Sequence, residues 1–241
     1  MTRYTDAQYE DAYPDGIESH YWHSARNRIL LDQLDTIRFS GVGLDVGCGR
    51  GMDVMKFREA GYDYHGVEVG NPAPYLPAGG QYLHLNRSSF DLPQDFREQV
   101  TLLSFLDVLP CIKDMSVFLQ AHYAHFPNVR YVLAWMVARQ EIFSNYDVHV
   151  GTLKRYTLNE VRALFPIGTI LNAQYCFRLL YPPARMLSLL GIPRNTKIHP
   201  PANDSLATRT AHALLSRYFV LESEILPKNL WGTSIVCLVE L

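Results

Sequence analysis

The sequence predicts an α/β fold built on a mostly parallel sheet, and three observations predict it. Short apolar runs alternate with stretches of helical apolar spacing along most of the 241 residues. A glycine-rich turn, Gly43 to Gly51, joins the first apolar run to the helix after it. An acidic residue, Glu68, comes near the end of the next apolar run.

From Ser24 to Ile37 the apolar residues Ala25, Ile29, Leu30, Leu34 and Ile37 recur at helical spacing, so a helix with one inward face leads into Gly41. Val42 to Val46 is a short apolar run, Met52 to Ala60 is helical and Tyr64 to Val69 is apolar again. Together they make a βαβ unit with a right-handed crossover. Gln81 to Leu85 and Val100 to Phe105 read as the third and fourth strands, Ser116 to His125 as a helix, and Arg130 to Val137 as the fifth strand. Thr157 is a good N-cap for a helix over Leu158 to Phe165, with Glu160 completing a capping box. Ile170 to Leu180 is strand-like, and Ser234 to Val239 is the final strand, which makes seven. About fifty residues separate the last two, well beyond a usual loop, so Tyr181 to Leu221 is an insertion with its own structure.

With 48% hydrophobic residues, the chain has material for one substantial core, read as a single domain over 1–241. A net charge of −2, from 22 basic and 24 acidic side chains, gives no field that would draw nucleic acid. There is no apolar run of about eighteen residues to span a membrane, and Met1 to Asp15 is polar and acidic, so the expected compartment is the cytoplasm. Cysteines 48, 111, 176 and 237 are far apart and read as reduced thiols. His20 with His23, and His122 with His125, have helical spacing but no further ligands beside them, so no metal is expected.

The turn Gly43-Leu44-Asp45-Val46-Gly47-Cys48-Gly49-Arg50-Gly51 lets a ligand touch backbone where a strand passes into a helix. Glu68, nineteen residues after Gly49, can accept both hydroxyls of an adenosine ribose. A dinucleotide site would share both features, but Asp45 separates the two. An anion there opposes a pyrophosphate and favours a cofactor carrying an ammonium and a sulfonium. Met52 also stands where the dinucleotide fingerprint wants its last glycine. The plain alternative is a glycine-rich turn with a buried, hydrogen-bonded Asp.

These residues resemble the D-x-G-x-G loop and strand-two acid of class I S-adenosylmethionine-dependent methyltransferases. The resemblance runs from Tyr21 to about Phe165 and again at the last strand, and leans towards bacterial methyltransferases of small molecules and cell-surface glycolipids. It implies a Rossmann-like seven-stranded methyltransferase sheet flanked by helices, with the insertion before the last strand. It implies S-adenosyl-L-methionine as cofactor, held by Asp45, Gly47, Cys48, Gly49, Glu68 and Val69. In such relatives a segment similar to Tyr21-Trp22-His23-Ser24-Ala25-Arg26 covers the cofactor. Residues 1–40 are then a lid and helix, with Trp22 walling the site and Arg26 pairing with the cofactor carboxylate.

The chain departs from that pattern in three places. Relatives grip adenine with an acid after strand three, where this chain reads Asn86-Arg87-Ser88-Ser89-Phe90-Asp91-Leu92-Pro93, so Ser88, Ser89 or Phe90 must substitute. Relatives often read V-L-E-H after strand four, where this chain has Asp107-Val108-Leu109-Pro110-Cys111. Phe105, Leu106 and Asp107 still occupy the mouth of that strand, Asp107 as a base or as a cap of the next helix. A third segment, Asp147 to Thr157, is similar to a G-H-x-x-x-Y-T loop with its histidine shifted. His149, Lys154, Arg155 and Tyr156 there can hold a polar or anionic acceptor.

The expected reaction is methyl transfer to oxygen or nitrogen of a small-molecule or glycan or lipid-linked acceptor, with His20, His23 or His149 available as base. The alternative is a non-catalytic cofactor-binding or partner-binding protein that keeps the fold. The insertion, with Tyr181 to Pro193 apolar and Arg194, Lys197, Arg209 and Arg217 basic, reads as a substrate lid or dimer contact in preference to a peripheral membrane-contact segment.

Overall fold

A computed structural model describes residues 4–201 and 204–241. Its seven strands are β1 (Val42–Val46), β2 (Asp63–Glu68), β3 (Leu83–Leu85), β4 (Val100–Leu106), β5 (Tyr131–Val137), β6 (Thr169–Cys176) and β7 (Ser234–Glu240). They form one sheet in the order β3-β2-β1-β4-β5-β7-β6. The pairs from β3 to β5 are parallel, and β7 runs antiparallel to both β5 and β6. The chain runs outward from β1 to β3 and then returns to β4, which opens a crevice at the carboxyl ends of β1 and β4 where ligands bind in such sheets.

The helices are α1 (Asp6–Ala12), α2 (Tyr21–Thr36), α3 (Met52–Glu59), α4 (Gln94–Arg97), α5 (Met115–His125), α6 (Asn145–His149), α7 (Leu158–Ala163), α8 (Tyr181–Leu189) and α9 (Leu206–Ile225). On one face of the sheet, α2, α3 and α9 bury Ile29, Leu30, Leu34, Phe57 and Phe219 against Leu102, Leu133 and Trp135. On the other, α5 and α7 bury Leu119, Leu158 and Val161 against Leu103, Phe105 and Val132. Two buried faces explain why β1, β4 and β5 read as continuous apolar runs. Thr157 caps α7 with Glu160 as its capping box, as the sequence predicts.

Two expectations change. β3 keeps only Leu83–Leu85, because Pro77–Tyr82 turns as a 3-10 helix. β6 stops at Cys176, because Phe177 takes a left-handed conformation (φ 57°) and the Arg178 amide leaves the ladder to donate to Glu222 at 2.6 Å. The insertion has helices of its own: α9 lies along α2, where Ser216 donates to Ser24 at 3.0 Å and His212 accepts from the Tyr21 amide at 3.1 Å. Meanwhile α8 is pinned by Tyr181, Arg185 and Ser188, all bonded to Glu141.

Candidate functional site

The glycine turn is held open by its own backbone. Gly47 and Cys48 donate to the carbonyl of Val67, and Gly47, Gly49 and Gly51 all have positive φ. Only glycine adopts those angles without strain, so this bend needs those residues. Glu68 then ties two loops together: Oε2 accepts from the Gly49 amide at 3.0 Å and Oε1 from the Gly70 amide at 3.0 Å. Each carboxylate oxygen keeps a further lone pair for a ligand hydroxyl.

Beside this turn lies a cavity of about 290 Å³, lined by Val46, Gly47, Val67, Val69, Arg87, Ser88, Ser89, Phe90 and Phe118. Its walls are apolar except for the Arg87–Ser89 edge, which suits a flat heteroaromatic ring of adenine size. The expected Val69, Ser89 and Phe90 line it directly. Behind Ser89, its hydroxyl meets His122 Nε2 at 3.0 Å, and His122 Nδ1 meets the Phe118 carbonyl at 2.7 Å.

At the other end of the turn the charged residues converge. Asp45 is buried on β1 and accepts from the Ser104 hydroxyl at 2.8 Å. Burial, reinforced by neighbouring Asp53, pushes its carboxyl up to about 8. Arg26 projects from α2 to Asp53 Oδ2 at 2.7 Å and Asp107 Oδ2 at 3.3 Å. Asp107 stands just past the tip of β4 with φ 63°, its amide bonded to the Trp135 carbonyl. Burial raises it to about 6, although Arg26 draws it back down. Arg26 Nε, Asp53 Oδ1 and Asp107 Oδ1 are all buried without a hydrogen-bond partner. Orphaned donors and acceptors of both signs, gathered at one point, fit a zwitterionic ligand end.

Over this cluster lies an N-terminal lid. Tyr13 sits where a side chain on Gly49 would be, its hydroxyl 3.1 Å from that point, and the Tyr9 hydroxyl crowds Gly70 in the same way. The lid is strapped down by Tyr4 to the Val150 carbonyl at 3.0 Å, Gln8 to the His149 carbonyl at 2.8 Å, and Arg50 to the Tyr13 carbonyl at 2.6 Å. Tyr75 adds bonds to Glu18 and to the Gly16 amide.

Several expected residues play other parts. Trp22 stacks on Phe177 at 5.6 Å and meets Trp135 edge-on, so it anchors α2 in the core, and its ring also lies 5.4 Å from the Arg26 guanidinium. Phe105 is fully buried among Phe118 and His122, since its side chain points to α5. Cys48 turns its thiol inward towards Gly66, leaving only its backbone at the turn. The cap of α5 is Asp114, not Asp107. His23 is buried beside Arg26 with both ring nitrogens unpaired, and burial holds it neutral. His149 lies under the lid, 3.9 Å from Asp11. Arg155 is buried and committed to Asp147 at 2.8 Å, and Lys154 pairs with Glu160 at 2.6 Å on the surface. His20 is the cap of α2. Among the described residues no group of three His, Cys, Asp or Glu side chains is placed to hold a metal ion, and no helix is long and apolar enough to cross a membrane.

Sequence reasoning missed Asp53, Ser104 and the lid tyrosines. An acid in the first turn of a helix is common on dipole grounds, so Asp53 carried no signal. Tyr9 and Tyr13, spaced i, i+4, did carry one, an aromatic face on a short polar helix.

No model of a known protein family matches this sequence, and no curated protein matches it either. Solved structures match in fold. A chain of the complex between a Haloferax volcanii methyltransferase activator and a methyltransferase aligns with a TM-score of 0.54 at 14% identity, over 100% of this chain and 98% of that one. Haemonchus contortus phosphoethanolamine N-methyltransferase 2, in complex with S-adenosyl-L-methionine, aligns at 0.55 and 13% identity, over 99% of this chain and 58% of that one. Geranyl diphosphate methyltransferase, in complex with GPP and sinefungin, aligns at 0.50 and 15% identity, over 90% of this chain and 77% of that one. The mixed sheet with helices on both faces is therefore the Rossmann-like methyltransferase fold.

Proposed function

We propose that this chain binds S-adenosyl-L-methionine and transfers its methyl group to oxygen or nitrogen of a small-molecule, glycan or lipid-linked acceptor. The observation that carries the reading is the arrangement along one crevice: an adenine-sized cavity, a carboxylate bridging two loops at Glu68, and a buried charged cluster around Asp45. A nicotinamide dinucleotide fits poorly, because its pyrophosphate would meet the Asp53 carboxylate at the turn, and Asp45 beside it can become a partner only for a cation, by releasing its proton.

The residues present fit the cofactor. Val69, Ser89 and Phe90 hold the adenine, Glu68 the ribose, and the Gly47–Gly49 backbone with Asp45, Asp53 and Arg26 the amino-acid end. When bound, the cofactor supplies a methyl group already activated on a sulfonium. The chain's own task is alignment and exclusion of water, and proximity of this kind lowers a barrier by about 7 to 11 kcal/mol. The lid supplies the exclusion. Asp107 is the base in this reading, in preference to His23 and His149; what supports it is its place just past the carboxyl end of β4 and a carboxyl raised to about 6, ionised at neutral pH yet still basic enough to take an acceptor proton.

Titration calorimetry with S-adenosylmethionine, S-adenosylhomocysteine and NADH tests the reading. Binding of the first two alone is expected, and no binding of either overturns it. Glu68→Ala is expected to weaken both by about 1 to 3 kcal/mol, the cost of unpaired ribose hydroxyls, and to loosen the turn whose Gly49 and Gly70 amides it holds.

A further inference from the structure

Helix α9 carries two stripes, a mixed inner one that the fold uses and an apolar outer one that it does not. His212, Leu215, Ser216, Phe219, Glu222 and Ser223 turn inward. About 120° around the helix, Ala207, Ala211, Leu214, Tyr218, Leu221 and Ile225 are all exposed, Leu214 by 59%, Tyr218 by 43%, Leu221 by 52% and Ile225 by 66%. Their spacing is 4-3-4-3-4, the heptad a/d pattern of a coiled-coil seam, kept along most of the helix. A surface helix of a globular protein normally shows polar residues there.

The geometry points to a second copy of this chain as the occupant, with the two α9 helices packed antiparallel about a two-fold axis near residue 220. In that register Leu214 layers with the partner's Ile225, and Tyr218 with the partner's Leu221, each layer occurring twice. Charge supports this occupant. The outer flank of the seam carries Arg217 and, seven residues on, Glu224, both exposed. In an antiparallel pair this flank meets its own copy, so each Arg217 lies beside the partner's Glu224 and both pairs form at once. Such self-complementarity is what an isologous interface requires. A lipid surface fits less well, because the seam covers an arc of only about 80° and Glu224 borders it. The interface is independent of the proposed activity.

Sedimentation velocity of the intact protein across a range of concentrations tests it. The wild type is expected to form dimers with concentration, and Leu221→Glu to remain monomeric and to melt as the wild type does at concentrations too low to dimerise, since Leu221 touches solvent in the single chain. Arg217→Glu is expected to raise the dissociation constant about tenfold, as two exposed ion pairs are lost, and Arg217→Glu with Glu224→Arg to restore it. The charge pair keeps the test decisive if Leu221→Glu fails to fold. A wild type that stays monomeric at high protein concentration overturns the proposal. So does a dimer untouched by Leu221→Glu and by Arg217→Glu, or binding to phosphatidylserine vesicles that Leu221→Glu abolishes while no dimer forms.

Discussion

Asp45→Asn is expected to abolish S-adenosylmethionine binding and, at the same time, to stabilise the empty protein at alkaline pH. Asp45 is buried on the central strand, where desolvation and the neighbouring Asp53 raise its carboxyl from 3.8 to about 8. The sign follows from proton counting. Between about pH 4 and 8 the folded chain holds a proton at Asp45 that the unfolded chain has released, so this group's contribution to stability falls as pH rises through that window. Asparagine carries no charge to desolvate and keeps an oxygen that accepts from Ser104 as Asp45 does, at 2.8 Å. The variant is therefore expected to match the wild type near pH 5 and to exceed it at pH 9 by at least about 1 kcal/mol, or about 2 to 4 °C in melting temperature. The same titration marks binding. A cationic cofactor draws the proton off Asp45, so affinity rises with pH towards about 8, and the calorimetric enthalpy below that pH varies with the ionisation heat of the buffer. A variant that binds with wild-type affinity, or melts lower than the wild type at pH 9, would sink the assignment.

On the proposed reading Asp45 costs stability when the site is empty and is needed when it is filled, the mark of a binding site, and its burial was legible in the sequence. Asp45 ends an apolar strand two residues before a glycine, which leaves it no exposed place to go. The sheet was legible for the same reason: β1, β4 and β5 are buried on both faces, and their runs of Val, Leu and Phe allow little else. What the sequence concealed depends on contacts between distant segments. Tyr13 reaches Gly49 and Tyr4 reaches Val150, and nothing local in either partner shows it. Trp22 was ambiguous because an indole serves equally as a site wall or a core anchor, and its neighbours Phe177 and Trp135 come from distant segments. The apolar segment Tyr181 to Pro193 drew the eye in the insertion, whereas its longest helix, α9, carries an exposed apolar face of its own.

Arg26→Met carries the other large effect, a loss of about 3 to 5 kcal/mol of stability at neutral pH, because it strands the buried carboxylate of Asp53 and takes the partner from Asp107, whose side chain is 36% exposed. Arg26 lies between Asp53 at 2.7 Å and Asp107 at 3.3 Å, with its guanidinium carbon 5.4 Å from the Trp22 ring centre and 5.6 Å from that of Trp135. Methionine fills the stem's volume and keeps contact with the rings, so the lost charge dominates over the lost packing. Asp107 stands at about 6 even with Arg26 drawing it down, and without that pull it rises further. Below its folded pKa the stranded group is neutral and costs little; above it the group must either hold a proton the solvent disfavours or sit charged and unpaired. The deficit of the variant is therefore expected to grow as pH rises from 5.5 to 8. Adding Asp53→Asn removes one of the two charges and returns part of the loss, which an exposed or merely space-filling arginine would not show. Urea unfolding of the wild type, the single and the double variant at both pH values measures all of this. A single variant as stable as the wild type at pH 8, or a double variant no better than the single, would remove the charged cluster from the account of this site.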